Sequence, residues 1–238
     1  MKLEQRKSAL LSAIIKEHVQ TADSVGSKAI VDKYKFKVSP ATIRNEMVDL
    51  EKDGFIYQPH TSAGRIPTEK GWRFYIDNYM QDISLTAQQQ GVLDQALQEH
   101  GMTYEGAVKN VAKNLADLSR DAVFVGFSQD NVYYTGLSQL FKHPEFEKVD
   151  LVRHISEVVD HLDEVINKLF NEDFQGTQVL IGKDNPFGIE CSTIISRYKN
   201  SDGEGMFGIL GPMRMDYENN IALVKYVNNI ISKKTGTA

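Results

Sequence analysis

Thr42, Arg44 and Asn45 fall in the first turns after Ser39-Pro40, an N-cap hydroxyl followed by proline at the first helical position. Arginine and asparagine pair bidentately with guanine and adenine edges, and a helix N-terminus attracts phosphate. The chemistry this predicts is readout of a DNA major groove, which admits one helix. A polar stretch of small residues follows at 59–64, and His60, Thr61, Ser62 and Arg65 are placed to reach a phosphate backbone or a minor groove. An ordinary surface helix with a hairpin carries the same residue types, so the chemistry alone leaves both readings open.

The elements that must position these residues are legible around them. Ile43, Met47 and Leu50 recur at helical spacing and turn one stripe inward, leaving Ala41, Arg44, Asn45, Val48 and Lys52 on the other side. Asp53-Gly54 ends that helix. Phe55-Ile56-Tyr57 predicts a short strand and Arg65-Ile66 its return, which makes a two-stranded wing. Upstream, Leu10, Leu11, Ile14, Ile15 and Val19 define an amphipathic helix over 3–20. Gly26-Ser27 opens a second helix through Tyr34, where Ser27 either caps the helix or, with Lys28, touches a phosphate. A helix over 68–80 carries Trp72, Phe74, Tyr75, Ile76 and Tyr79, a stripe better suited to core than to base stacking. Three helices and a wing by residue 67 make a winged helix-turn-helix.

VGSKAI at 25–30, SPATIRNEM at 39–47 and QPHTSAGRIPTEKGWRFYID at 58–77 resemble the winged-helix domain of the HrcA family, bacterial heat-inducible transcription repressors. The matches are long and ordered. The resemblance implies an inverted-repeat operator, the CIRCE element, upstream of groE- and dnaK-type operons. It further implies a GroEL-type chaperonin that supports the active repressor and is drawn away by unfolded clients on heating.

The chain has 238 residues, 41% of them hydrophobic, and a net charge of −5. Residues 1–80 hold 13 Lys+Arg against 10 Asp+Glu, while the remainder holds 14 against 22. A front half this mildly basic implies that any DNA contact rests on local placement of charge. One cysteine, Cys191, allows neither an intrachain disulfide nor a cysteine zinc cluster. The charged start, Lys2 to Lys7, and the apolar run broken at Lys16-Glu17 fit no signal peptide, and no stretch is long enough to cross a bilayer. A cytoplasmic protein without membrane contact is expected.

The second half alternates helical and strand patterns. Helices are predicted over 85–100, 103–118, 151–170 and 217–231, and strands over 122–127, 132–134, 178–181, 191–196 and 206–210. That is an α+β domain with a mostly antiparallel sheet. The expected division is a DNA-binding domain over 1–82 and a second domain over 83–238, with Ser84 capping the first helix of the latter. GLSQLFKHPEF at 136–146, IGKDNP at 181–186 and GILGPMRMDYENNIALVKYV at 208–227 also resemble HrcA, in its GAF-like C-terminal part. Family members are longer and carry an inserted dimerisation domain there. Here SRDAVFVGFSQDNVYYT runs almost directly into GLSQLF, so the insert is missing or reduced to a hairpin near Phe127 to Tyr133. A homodimer is still expected, because two half-sites demand two DNA-binding domains.

Other signals point to structure. Gly203-x-Gly205-x-x-Gly208 matches a dinucleotide pattern, but an apolar strand follows where a helix N-terminus is needed. Cys191 lies in an apolar strand and suits an inert core position. His154 and His161 share a helix face too far apart for one metal. Asp216 complements the dipole of the last helix and Arg214 pairs locally. No catalytic grouping stands out, so neither an enzyme nor a cofactor is expected. The competing readings are a regulator whose GAF-like domain binds a small metabolite, and a non-DNA adaptor that binds chaperonin.

Overall fold

Ser39-Pro40 nucleates a helix that the rest of the N-terminal unit buries on one side. A computed structural model describes residues 3–80, 84–98, 102–200 and 203–233. The chain divides into two units, Met1–Gln81 and Asp82–Ala238. The expected boundary at Asp82, the predicted helix end at His100 and the turn residues 201–202 lie outside the described residues.

In the first unit, α1 (Gln5–Thr21), α2 (Ser27–Tyr34) and α3 (Pro40–Lys52) precede β1 (Ile56–Tyr57), β2 (Ile66–Pro67) and α4 (Glu69–Tyr79). The apolar stripe of α1 places Leu10, Leu11, Ile14 and Ile15 in the core, against Ile30 of α2 and Ile43, Met47 and Leu50 of α3. β1 and β2 are antiparallel, with Ile56 opposite Pro67 and Tyr57 opposite Ile66. Thr68 caps α4 by accepting from the Gly71 N–H at 3.2 Å, and its own hydroxyl donates to the Gly54 carbonyl at 2.7 Å. Trp72 and Tyr75 are buried, so the aromatic stripe of α4 is core; Tyr79, at its end, is exposed.

The second unit opens with α5 (Ala87–Gln98) and α6 (Tyr104–Ser119), followed by β3 (Ala122–Gly126) and β4 (Val132–Thr135). Next come α7 (Leu137–Leu140), a 3-10 turn at Pro144–Glu147, α8 (Val149–Asp160) and α9 (Leu162–Asn171). The chain then forms β5 (Thr177–Ile181), β6 (Cys191–Asn200), β7 (Gly203–Pro212) and α10 (Tyr217–Lys233). The sheet runs β4-β3-β7-β6-β5, antiparallel at every pairing, with Phe124 opposite Gly208 and Ile195 opposite Gly208 on its other side. Phe124, Ile195 and Met206 point into a core with Ile155, Ile166 and Leu169 of α8 and α9. α6 and α10 pack against the sheet as well, on β3 and β6. β3 is buried along its whole length, as its unbroken apolar run requires. The α+β class read from the sequence is what the chain adopts.

Several local expectations change. The helix predicted over 151–170 is two helices, because His161 leaves helical geometry at φ −118°. Val158, Val159 and Asp160, all weak helix formers, precede that break. Thr86, not Ser84, caps α5, accepting from the Gln89 N–H at 3.3 Å while its own N–H donates back to the Gln89 side chain at 3.1 Å. The Gly203-x-Gly205-x-x-Gly208 run lies within β7. A Cβ at Gly205 would collide with the Tyr198 hydroxyl, and one at Gly208 would meet the Phe124 ring at 2.5 Å. Gly205 and Gly208 make room for aromatic rings, and the run lies in a strand where a phosphate-binding turn would need a helix N-terminus. Cys191 is fully buried, and burial above all, helped by the charges of Glu190 and Asp121, pushes its thiol up to about 12.

Two of the C-terminal signature segments, 136–146 and 208–227, meet in space. Arg214 pairs with Glu145, Nε to Oε1 at 2.6 Å, across 69 positions of sequence, a distant partner that the expected local pairing did not include. His143 Nε2 lies 2.9 Å from both the Arg120 carbonyl and Asp121 Oδ1. The Arg120 carbonyl only accepts, so this nitrogen carries the proton. Asp121 also accepts from the Asn220 amide at 2.8 Å. Burial pushes the Asp121 carboxyl up, against the opposing pull of His143; burial works to lower His143, but Asp121, the Arg120 carbonyl and Glu145 together raise the imidazole. Asp216 caps α10, accepting from the Asn219 N–H at 3.1 Å.

Candidate nucleic-acid interface

The capped N-terminus of α3 presents its polar side outward. Ser39 Oγ accepts from the Thr42 N–H at 3.2 Å and lies 3.0 Å from the Thr42 hydroxyl. Ala41, Arg44 and Asn45 are exposed, while Thr42 and Val48 are half-buried. Glu46 is buried and held by Arg6 of α1, so the acid nearest Arg44 and Asn45 in sequence is turned away from them. The exposed face of α3 therefore offers donors without a competing carboxylate in its first two turns.

The wing rises beside this face. Gln58 donates its side-chain amide to the carbonyls of Thr61, at 3.0 Å, and Ala63, at 2.8 Å, which closes the turn from inside. The tip residues His60, Thr61 and Ser62 are exposed, with His60 Nδ1 3.3 Å from Ser62 Oγ. The return leg is anchored to the segment before α2: Val25 and Arg65 exchange two backbone hydrogen bonds of 2.9 Å, and the Gly64 N–H donates to Ser24 Oγ at 3.0 Å.

A concavity of about 400 Å³ lies between these elements, lined by Gly26, Ser27, Arg44, Gln58, Thr61, Ser62 and Arg65 among others. The structure thus gathers Ser27, Arg44, Thr61, Ser62 and Arg65 around one cleft. Lys28, Ser39, Thr42, Asn45 and His60 do not line it. Lys28 is exposed in the first turn of α2.

Two expected roles differ here. Gly26 occupies the N-cap of α2 and no side chain caps that helix, so Ser27 is not its cap. Ser27 is the first helical residue and is buried, with 8% of its surface exposed. Arg65 is not a free clamp: its guanidinium donates to Glu51 Oε2 from Nε, at 3.1 Å, and from Nη2, at 3.0 Å. Glu51, Gln58 and Ser24 were not singled out from sequence. Their partners lie 14, 3 to 5 and 40 positions away, and only the folded wing reveals them.

Among the described residues no group of His, Cys, Asp and Glu could hold a metal ion, and no helix is long and apolar enough to cross a membrane.

A family model described as the HrcA protein C-terminal domain matches residues 70–221. Curated relatives described as heat-inducible transcription repressor HrcA align along nearly the whole chain. The one from Carboxydothermus hydrogenoformans is 25% identical, with 98% of each chain covered. The one from Natranaerobius thermophilus is 28% identical, with 96% of each covered. A shorter match, from Pelotomaculum thermopropionicum, is 47% identical over 48% of this chain and 30% of that one. The first alignment runs over 337 positions although this chain has 238 residues, so that relative carries a long stretch without a counterpart here. In the present fold β3 passes into β4 through residues 127–131 alone, where Phe127 N–H donates to the Asn131 carbonyl at 2.9 Å. A crystal structure described as a hypothetical protein superposes with a TM-score of 0.83, covering 98% of both chains at 19% identity, and so shares the fold.

Proposed function

The chain belongs to the HrcA family, and on that basis we propose that it is a transcriptional repressor of heat-shock operons that acts in the cytoplasm by binding DNA. The observation that carries this reading is the exposed Arg44–Asn45 face of a capped α3, standing beside a wing whose tip exposes His60, Thr61 and Ser62. In this reading the three helices and the hairpin form a winged helix-turn-helix over residues 1–82. Arg44 and Asn45 read purine edges in the major groove. Thr42, Lys28 and the wing tip contact flanking phosphates and fix register. Ser39 acts on the DNA through the helix N-terminus it caps.

The operator is an inverted repeat of the CIRCE type, and a homodimer presents two copies of α3 at the spacing of its two half-sites. The second unit, residues 83–238, supplies the dimer contact and the regulatory input. A GroEL-type chaperonin sustains the active form, and heat releases the operator by occupying the chaperonin with unfolded proteins. The protein needs no cofactor and catalyses no reaction in this account.

The alternative, small-molecule sensing by the second unit, has one feature in its favour. A concavity of about 840 Å³ is lined by Asp94, Gln95, Gln98, Asn110 and Asn114 on α5 and α6. Its one acid is already engaged, since both Asp94 oxygens lie within 2.9 Å of the Tyr226 hydroxyl. The cleft offers no convergent charge for a metabolite, and the repressor reading stands ahead of it.

In vitro transcription from a chaperone promoter tests the proposal. Added protein should silence a promoter with an intact inverted repeat and spare one in which the repeat is scrambled, with stronger silencing when chaperonin is present. Equal transcription from both promoters at saturating protein would overturn it.

A further inference from the structure

We infer that Glu51 is the residue that sets the wing against the recognition helix, and that Arg65 serves Glu51 and not the DNA. The inference rests on the repressor reading and names the device that aligns its two DNA-facing elements. Glu51 lies seven positions after Arg44, in the last turn of α3, so the two share a helix face. The same stripe that carries Arg44 outward at one end meets the wing at the other.

One carboxylate there holds both legs of the wing. Oε1 accepts the Gln58 backbone N–H at 3.0 Å, just after β1. Oε2 accepts from Arg65 on the return leg, at 3.1 Å from Nε and 3.0 Å from Nη2. Bonds to a charged group are shorter and stronger than neutral ones, and three of them converge on this side chain. The legs it grips are themselves stiffened, by the Gln58 amide inside the turn and by the paired Val25 and Arg65 backbones. The distance between Arg44 and the wing tip is therefore governed from Glu51.

Electrostatics favour this role for Arg65 over a phosphate clamp. The Arg65 side chain is 14% exposed and that of Glu51 33%. Turning Arg65 to a phosphate would leave the Glu51 carboxylate without its cation on the face that approaches a polyanion. The pair instead neutralises that face and keeps the acid from repelling DNA.

Equilibrium titrations of the full chain with a CIRCE inverted-repeat duplex and a scrambled duplex, across salt concentrations, test this. The variants are Glu51→Ala, Glu51→Gln, Arg65→Ala and the Glu51→Ala/Arg65→Ala double, each also melted. Glu51→Ala and Arg65→Ala should each weaken repeat binding by about tenfold, with the double no worse than either single, as expected for residues that act as a unit. The double variant, which removes one charge of each sign, should match wild type in scrambled-duplex affinity and in salt slope. Glu51→Gln keeps an acceptor for the Gln58 N–H and should recover part of the loss. The inference is overturned if Arg65→Ala weakens both duplexes and flattens the salt slope by about one while Glu51→Ala is neutral, the pattern of a lost phosphate contact. A wild-type chain that binds both duplexes equally would instead remove the repressor reading beneath it.

Discussion

Replacing Arg44 with alanine should weaken operator binding by about 2–6 kcal/mol per dimer, because each bidentate guanine contact is worth about 1–3 kcal/mol and both half-sites lose one. The melting temperature should barely move. Arg44 is exposed, no hydrogen bond or ion pair holds its side chain among the described residues, and the apolar stripe of α3 lies on the opposite side. Surface changes of this kind shift stability by roughly 0.5 kcal/mol or less. Titration of the variant on the inverted repeat, alongside a thermal melt, separates the two effects. An unchanged affinity would remove Arg44 from the interface, and a large drop in melting temperature would recast it as structural. The loss should also be sharper on the repeat than on a scrambled duplex, since a base-reading side chain contributes to the difference between them.

Trp72→Ala should produce the largest stability loss in the N-terminal unit. Trp72 is 2% exposed, on the face of α4 that also buries Tyr75, and its ring centroid lies 6.3 Å from that of His18 in α1. Truncating a buried aromatic to alanine costs about 3–5 kcal/mol, a large share of the roughly 5–15 kcal/mol that holds a domain folded. For a unit of this size that lowers its melting temperature by about 15 °C or more. Calorimetry should show one transition shifted and the transition of the Asp82–Ala238 unit unmoved. Trp72 is the only tryptophan of the chain, so wild-type fluorescence reports the first unit alone and assigns its transition. A shift below about 2 °C would mean that α4 does not share the core of α1. Arg44→Ala removes binding from a folded unit; Trp72→Ala removes the unit.

The sequence disclosed most readily what each element does to its own burial. Ser39-Pro40 marked the start of α3, and Ile43, Met47 and Leu50 marked its inner stripe, because cap chemistry and helical period are local. The apolar run 122–127 announced a buried strand for the same reason, and β3 fills it to Gly126. Contacts between distant positions were not legible. Arg65 reads as a free cation at the start of the wing's return strand until the fold brings Glu51 to it. Arg214 reads as a helix-start residue until Glu145 arrives from the segment after α7. Ser27 looked like a cap because Gly26 before it has no side chain with which to compete, yet the backbone enters α2 one residue earlier. The His161 break was hidden as well: the apolar spacing continues from Ile155 to Leu162 as though one helix ran through. Periodicity reports which residues turn inward; it does not report where the backbone changes direction while they do so.

The short β3–β4 connection gives the account its sharpest demand. If relatives dimerise through a segment that this chain lacks, the second unit must bring two copies of α3 together through another surface. The measurement that tests this most directly is a titration of the purified full chain with three duplexes: the intact inverted repeat, one half-site and a scrambled repeat, at two salt concentrations. Tight binding to the intact repeat, with the half-site and scrambled duplexes both far weaker and more salt-labile, is the predicted result. Equal, salt-labile binding to all three would contradict it, leaving only non-specific phosphate attraction and no operator-reading dimer.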